Sequence, residues 1–170
     1  MLRIAQRLSA PHVDRGLLAA LRRFHPGQEG RHNVFEVQQV LLDAGLDLPP
    51  GSALQPRWGL LVHCLAIVQG AHQPRLDTGA RLAELGLSEA RLRQLVEADT
   101  PLLADLLPAL ARRLAAAGTA VDWQPLADLA LADRDDPRTL MRADHARRRI
   151  VQGYLRAVAA KAAAGRPAAT

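Results

Sequence analysis

The sequence predicts an all-α protein made of two small helical bundles packed together, and three observations predict it. Apolar residues recur at helical spacing along nearly the whole chain. Between these stretches stand residues that start or stop helices: Asp, Ser or Thr before an apolar run, Pro in a first turn, Gly after a last one. No segment alternates apolar and polar residues as a half-buried strand does, and aromatic residues are only 3% of the 170. The core must therefore be aliphatic, drawn from Leu, Ala and Val.

Asp14 to Phe24 reads as a short amphipathic helix with Leu17, Leu18 and Leu21 on one side. Arg22 and Arg23 fall near its C-terminus, where cations complement the helix dipole, and His25-Pro26-Gly27 stops it. Asn33 to Ala44 repeats the 3.6-residue pattern through Val34, Val37, Leu41 and Leu42, and Gly45 ends it. Leu48 to Ser52 is a Pro-rich loop, and Pro56 suits the first turn of the next helix. That helix runs to about Gln69 and is apolar on almost all sides from Leu60 to Val68, so it belongs at the centre of a bundle.

Gly70 to Pro74 marks a boundary. Residues 1–75 are expected to form an N-terminal bundle, 76–162 a C-terminal bundle, and 163–170 a flexible tail. Within the second bundle, Thr78 to Leu85 is a short helix closed by Gly86, and Ser88 caps Glu89 to Ala98. Thr100-Pro101 opens a long helix to Ala117 with a leucine stripe and an internal Pro108. Asp122 caps the next helix, and Asp136-Pro137 opens the last, to about Ala163.

In the last helix, Leu140, Val151, Tyr154, Leu155 and Val158 point one way at 100° per residue. Arg142, Arg149 and Arg156 recur every seven residues and form a basic stripe on the opposite side, with His145 close by. The stripe is either a solvated face or a binding face; a solvated one would mix acids with bases, and this one has almost none. Arg147 falls near the apolar side and must snorkel, pair or face a partner.

Charge is uneven along the chain. The net charge of +5 divides into +3 over residues 1–75, −4 over 76–141 and +6 over 142–170. Positive potential at both ends favours a nucleic-acid backbone or an acidic protein partner. Scarce aromatics exclude base stacking as the main mode of binding.

Signatures of catalysis are missing. There is no Gly-rich phosphate loop, nucleophile elbow or His-Glu-x-x-His pair, so neither an enzyme nor a cofactor or metal is expected. His63 reads as a core histidine rather than a ligand, and Asp133 to Asp136 as helix-capping acids rather than a metal site. Cys64 is the only cysteine, which excludes a disulfide within the chain. Lack of a secretory signal or an 18-residue apolar run points to a cytoplasmic protein with no membrane contact.

The landmarks also resemble a family. Ala20-Leu21-Arg22-Arg23 comes first, then Gln55-Pro56-Arg57-Trp58 leading to His63-Cys64-Leu65. Arg91-Leu92-Arg93-Gln94-Leu95 follows, and Val121-Asp122-Trp123 with Leu126 comes last. This order is similar to that of the CasB small subunit of the type I-E CRISPR surveillance complex, Cascade, from about Arg15 to Lys161. The resemblance implies an all-α, non-catalytic, antiviral-defence subunit of a ribonucleoprotein complex. It implies contact with the backbone and large subunits and with a second copy of itself. It also implies R-loop stabilisation through sequence-independent binding of the guide RNA–target DNA hybrid and the displaced DNA strand. The family's basic positions fall on Arg22 or Arg23 and on Arg57, and its basic C-terminal helix on the stretch around Arg142 to Arg149. The nucleic-acid-binding candidates are thus Arg22, Arg23, Arg57, Arg142, Arg148, Arg149 and Arg156.

Two other functions remain open on the residues alone. One is a helical interaction scaffold whose basic faces bind an acidic partner. The other is a DNA-binding regulator, whose only candidate recognition helix, at Arg91 to Arg93, is flanked by Glu89, Glu97 and Asp99.

Overall fold

Helix accounts for 71% of the residues described by the computed structural model, which are 1–10, 12–24, 34–69 and 71–164. The expected stop at His25-Pro26-Gly27, the boundary residue Gly70 and the tail from Gly165 lie outside the described residues. Among the described residues there is no strand, and the fold is all-α as the periodicity predicts. The helices among the described residues are α1 (Leu2–Ser9), α2 (Arg15–Arg22), α3 (Val34–Asp43), α4 (Leu54–Ile67), α5 (Thr78–Glu84), α6 (Glu89–Glu97), α7 (Thr100–Ala116), α8 (Gln124–Ala130) and α9 (Pro137–Ala164). They divide into two compact units: Met1–His72 with Ala98–Ala120, and Gln73–Glu97 with the residues from Val121 onward.

The first unit is built around α4, which is buried without interruption from Gly59 to Ala66 and touches α1, α2, α3 and α7. A helix apolar on all sides needs cover on all sides. The leucine stripe of α7 supplies part of it, burying Leu103, Leu107, Leu110 and Leu114. Sequence order places α7 in the C-terminal bundle, whereas its packing is against α4. Helical spacing shows that a stripe must be covered but not by which neighbour.

Helix α1 has no counterpart in the sequence reading. It buries Ile4, Ala5 and Leu8 and is tied to α3 by the Arg7–Asp43 ion pair at 3.0 Å. Helix α2 is held to α4 by two side chains. The Nδ1–H of His63, which is 2% exposed, donates to the Leu21 carbonyl at 2.8 Å. A carbonyl only accepts, so the proton must be on Nδ1. His63 is thus a satisfied core histidine, as expected. Arg22 returns the tie, donating through Nε to the Ala66 carbonyl and through an Nη to the Gln69 side chain, both at 2.9 Å. Gly59 leaves room for the Phe24 ring, which a Cβ there would meet at 2.8 Å.

In the second unit the 28-residue α9 is the spine, with α5 and α8 along it. Its buried residues are Thr139, Ala143, Ala146, Ile150, Gly153 and Tyr154. Of the expected apolar stripe only Tyr154 is buried. Leu140 and Val151 are half-buried, and Leu155 and Val158 are exposed. The buried face, lined mostly by small residues, is therefore turned about a quarter turn from the expected stripe. Close approach is the cause: a Cβ at Gly79 would collide with the backbone of Ile150, and one at Gly153 with the Asp77 carboxylate. The connection between α5 and α6 is secured by the Tyr154 hydroxyl, which donates to the Leu87 carbonyl at 2.7 Å. Arg147 resolves its awkward position by pairing: its Nε donates to the Val96 carbonyl at 2.9 Å and an Nη to Asp144 at 2.6 Å.

Two of the four predicted caps are observed. Ser88 accepts from the Arg91 amide at 3.4 Å and Asp136 from the Arg138 amide at 2.9 Å. The cap of α7 is Asp99 rather than Thr100, accepting from the Leu102 amide at 3.1 Å. A carboxylate is the stronger acceptor, and Thr100 then becomes the first helical residue. The N-cap position of α8 is Trp123 rather than Asp122, which stands one residue before it and ties the loop together. One carboxylate oxygen accepts from the Gln124 amide at 2.9 Å and the other from the Arg75 amide at 3.0 Å, while its carbonyl takes the Thr78 hydroxyl at 2.8 Å.

Candidate nucleic-acid interface

The seven candidate arginines are divided between the two units. In the first, Arg22 is committed at least in part to α4, so two of its five N–H groups are spent on structure. Arg23 is the C-cap of α2 and is exposed, with its backbone N–H satisfied by the helix. Arg57 lies in the first turn of α4 and is half-exposed.

In the second unit, Arg142, Arg148, Arg149 and Arg156 are all exposed on α9. The inward turn of the small residues leaves Arg142, Arg149 and Arg156 as one row along the helix, about a quarter turn from the buried face. On the neighbouring helices Arg81 pairs with Glu84 at 2.7 Å and Arg93 with Glu89 at 3.2 Å. Among the described residues no acid lies within ion-pair distance of Arg142, Arg148 or Arg149. Arg156 meets Asp77 only loosely, at 3.8 Å, with its side chain 75% exposed. Exposed pairs of this kind hold together by about 0–1 kcal/mol.

Arg149 and Arg156 also share a cleft of about 220 Å³ with Arg75, Asp77, Thr78, Gly79, Pro125 and Ile150. Arg142 and Arg148 are not among its walls. Arg75 was not singled out by the sequence: it stands alone between Pro74 and Leu76, outside any helix. Only the fold brings it beside α9. Its φ of 70° lies in the left-handed region, which costs a non-glycine residue energy, and the Asp122 carboxylate holds its amide in place.

Other reactive groups are occupied in structure. Burial pushes the Cys64 thiol far above its usual range, and the charge of Arg112 offsets this only in part. Asp133 and Asp136 accept from the Asp135 and Arg138 amides at the start of α9. Among the described residues no three of His, Cys, Asp and Glu are grouped to hold a metal ion, and no helix is long and apolar enough to cross a membrane.

Residues 17–155 match the family described as CRISPR-associated protein Cse2. No curated protein and no solved structure matches the chain.

Proposed function

This chain belongs to the CRISPR-associated Cse2 family, the small subunit of the type I-E complex Cascade, and on that premise we propose that it stabilises the R-loop by sequence-independent phosphate contacts. The strands concerned are the target strand, paired with the guide RNA, and the displaced DNA strand. The observation that carries this reading is the exposed arginine row of α9, in which Arg142 and Arg149 have no acidic partner among the described residues. R-loop formation exchanges one duplex for another of similar stability, so a few such contacts are enough to tip it. Arginines without a base-reading helix or stacking aromatics bind backbone rather than sequence.

In this reading the subunit is non-catalytic, acts in the cytoplasm, and docks to the backbone and large subunits and to a second copy of itself. Arg23 and Arg57 of the first unit extend the same function. The test is target-DNA binding by the assembled complex carrying either wild-type subunit or the Arg142→Ala/Arg149→Ala variant. A shorter R-loop lifetime that worsens with salt is the expected result. Equal lifetimes across the salt series would select a second reading, a protein-docking scaffold. That reading is favoured by the exposed apolar side chains Phe35 and Leu42 on α3 and Met141 and Leu155 on α9.

A further inference from the structure

We propose that the cleft between Arg75, Arg149 and Arg156 is a seat for one backbone phosphodiester of a nucleic-acid strand, and that Asp77 is its built-in counter-charge, which the phosphate displaces from Arg156. The proposal rests on the phosphate-binding reading above and gives it a specific location and a regulating residue.

Three arginines from two separate chain segments line the same cleft, with one acidic residue, Asp77. Arg75 enters from the loop before α5, whereas Arg149 and Arg156 lie about two turns apart along α9. Bringing Arg75 there requires a left-handed backbone conformation, clamped by the Asp122 carboxylate. A residue held against its local preference by its surroundings indicates a constraint beyond folding of that loop. The remaining walls are Thr78, Gly79, Pro125 and Ile150, with no aromatic ring on which a base could stack. Such a cleft suits a phosphate and its flanking sugars rather than a base.

The α5 terminus at the cleft is already capped, because Asp77 accepts from the Ala80 amide at 3.1 Å. The role of Asp77 in the cleft is electrostatic. Its other carboxylate oxygen faces Arg156 at a loose 3.8 Å. Arg156 already donates through Nε to the Gln152 carbonyl at 3.2 Å, and an incoming phosphate offers its Nη groups a second anion. The phosphate must also approach Asp77, whose negative charge opposes it. The carboxylate thus keeps the cleft paired when empty and weakens every phosphate that binds.

This makes a counter-intuitive result the decisive one. Asn is as good a helix cap as Asp, so Asp77→Asn keeps the fold while removing the charge. The probe is a fluorescein-labelled oligothymidylate titrated with the full chain by anisotropy, at several salt concentrations. Asp77→Asn should tighten binding about fivefold at low salt, the size of one unscreened unit charge at contact distance in water. Arg75→Ala and Arg149→Ala should each weaken it by a similar factor and make the salt slope shallower by about 0.7. Asp135→Asn and Arg134→Ala, which change charge elsewhere in the same unit, serve as matched controls, with circular dichroism to confirm folding. If Asp77→Asn matches Asp135→Asn, or Arg75→Ala matches Arg134→Ala, the cleft is not the seat. In that case a loss of binding in the Arg142→Ala/Arg148→Ala variant still leaves the broader phosphate-binding function standing. Inorganic phosphate forms the last arm. It should compete with the oligonucleotide only weakly; if it binds the wild-type chain as tightly as the oligonucleotide does, the cleft is a small-anion site and the backbone assignment is overturned.

Discussion

Gly79 of α5 lies directly against the backbone of α9 at Ile150, so close that an added Cβ would stand 2.9 Å from the Ile150 carbonyl carbon and 2.6 Å from the Tyr154 amide nitrogen. Real Cβ atoms do not approach backbone this closely. The contact decides which face of α9 turns inward and therefore which arginines face outward.

Gly79→Ala tests it. On helix propensity alone the substitution would stabilise α5 by up to about 1 kcal/mol. Overpacking against a backbone that has no side chain to move should outweigh this, for a net loss of about 2–3 kcal/mol. Urea unfolding followed by circular dichroism reads the difference. Gly153→Ala should cost less, about 1 kcal/mol, since its Cβ would strike the Asp77 carboxylate, a side-chain end that can shift. An unchanged midpoint in both would mean that the two helices are not in this contact.

The buried thiol predicts an alkaline effect. In the unfolded chain Cys64 ionises above about 9.0, whereas in the folded chain burial holds the proton on well beyond that. The folded state therefore binds more protons above pH 9, and stability must fall as pH rises. The slope is about 1.4 kcal/mol per pH unit from this one group. Cys64→Ala should lower stability at neutral pH by leaving a small void but should lose that alkaline slope. A thiol reagent should leave folded wild-type protein unmodified at neutral pH, and rapid modification would contradict the burial.

Adjacent arginines should part company. Arg22 donates to the Ala66 carbonyl and the Gln69 side chain, so Arg22→Ala should cost about 1–2 kcal/mol of stability, as charged hydrogen bonds to a carbonyl do. Arg23 caps α2 through its backbone alone, so Arg23→Ala should stay within about 0.5 kcal/mol. In the assembled complex, Arg23→Ala should instead shorten R-loop lifetime at raised salt. A matched pair of thermal melts and strand-release measurements separates the two roles.

The same division should appear on α9. Arg147 ties α9 to the Val96 carbonyl of α6 and pairs with Asp144, so Arg147→Ala should lower stability by about 1–2 kcal/mol. It should leave the salt dependence of oligonucleotide binding unchanged. Arg142→Ala should do the reverse, leaving the melting curve in place and making the salt slope shallower by about 0.7. If Arg147→Ala changed that slope as much as Arg142→Ala, the assignment of Arg147 to structure would fail.

Much of this protein was determined by its sequence alone. Helix periodicity and the Asp, Ser, Pro and Gly punctuation are local properties, and they locate α2 through α9 to within a few residues. The order of the landmark motifs identified the family, which residues 17–155 match. The unbroken apolar run of α4 marked it as a central helix, because such a surface has nowhere else to go. What the sequence left undecided depends on partners distant in the chain. Helix α1 shows only Ile4, Ala5 and Leu8 as an apolar spacing, too short a signal without α3 and α4 to receive it. Helix α7 packs on α4, across the expected boundary, because an amphipathic stripe specifies a need for cover and not its source. The inward face of α9 was decided by Gly79 and Gly153, since close backbone approach can bury small residues in preference to large ones. Arg75 joins Arg149 and Arg156 for the same reason: residues so distant in sequence share a cleft only when α5 and its preceding loop dock on α9.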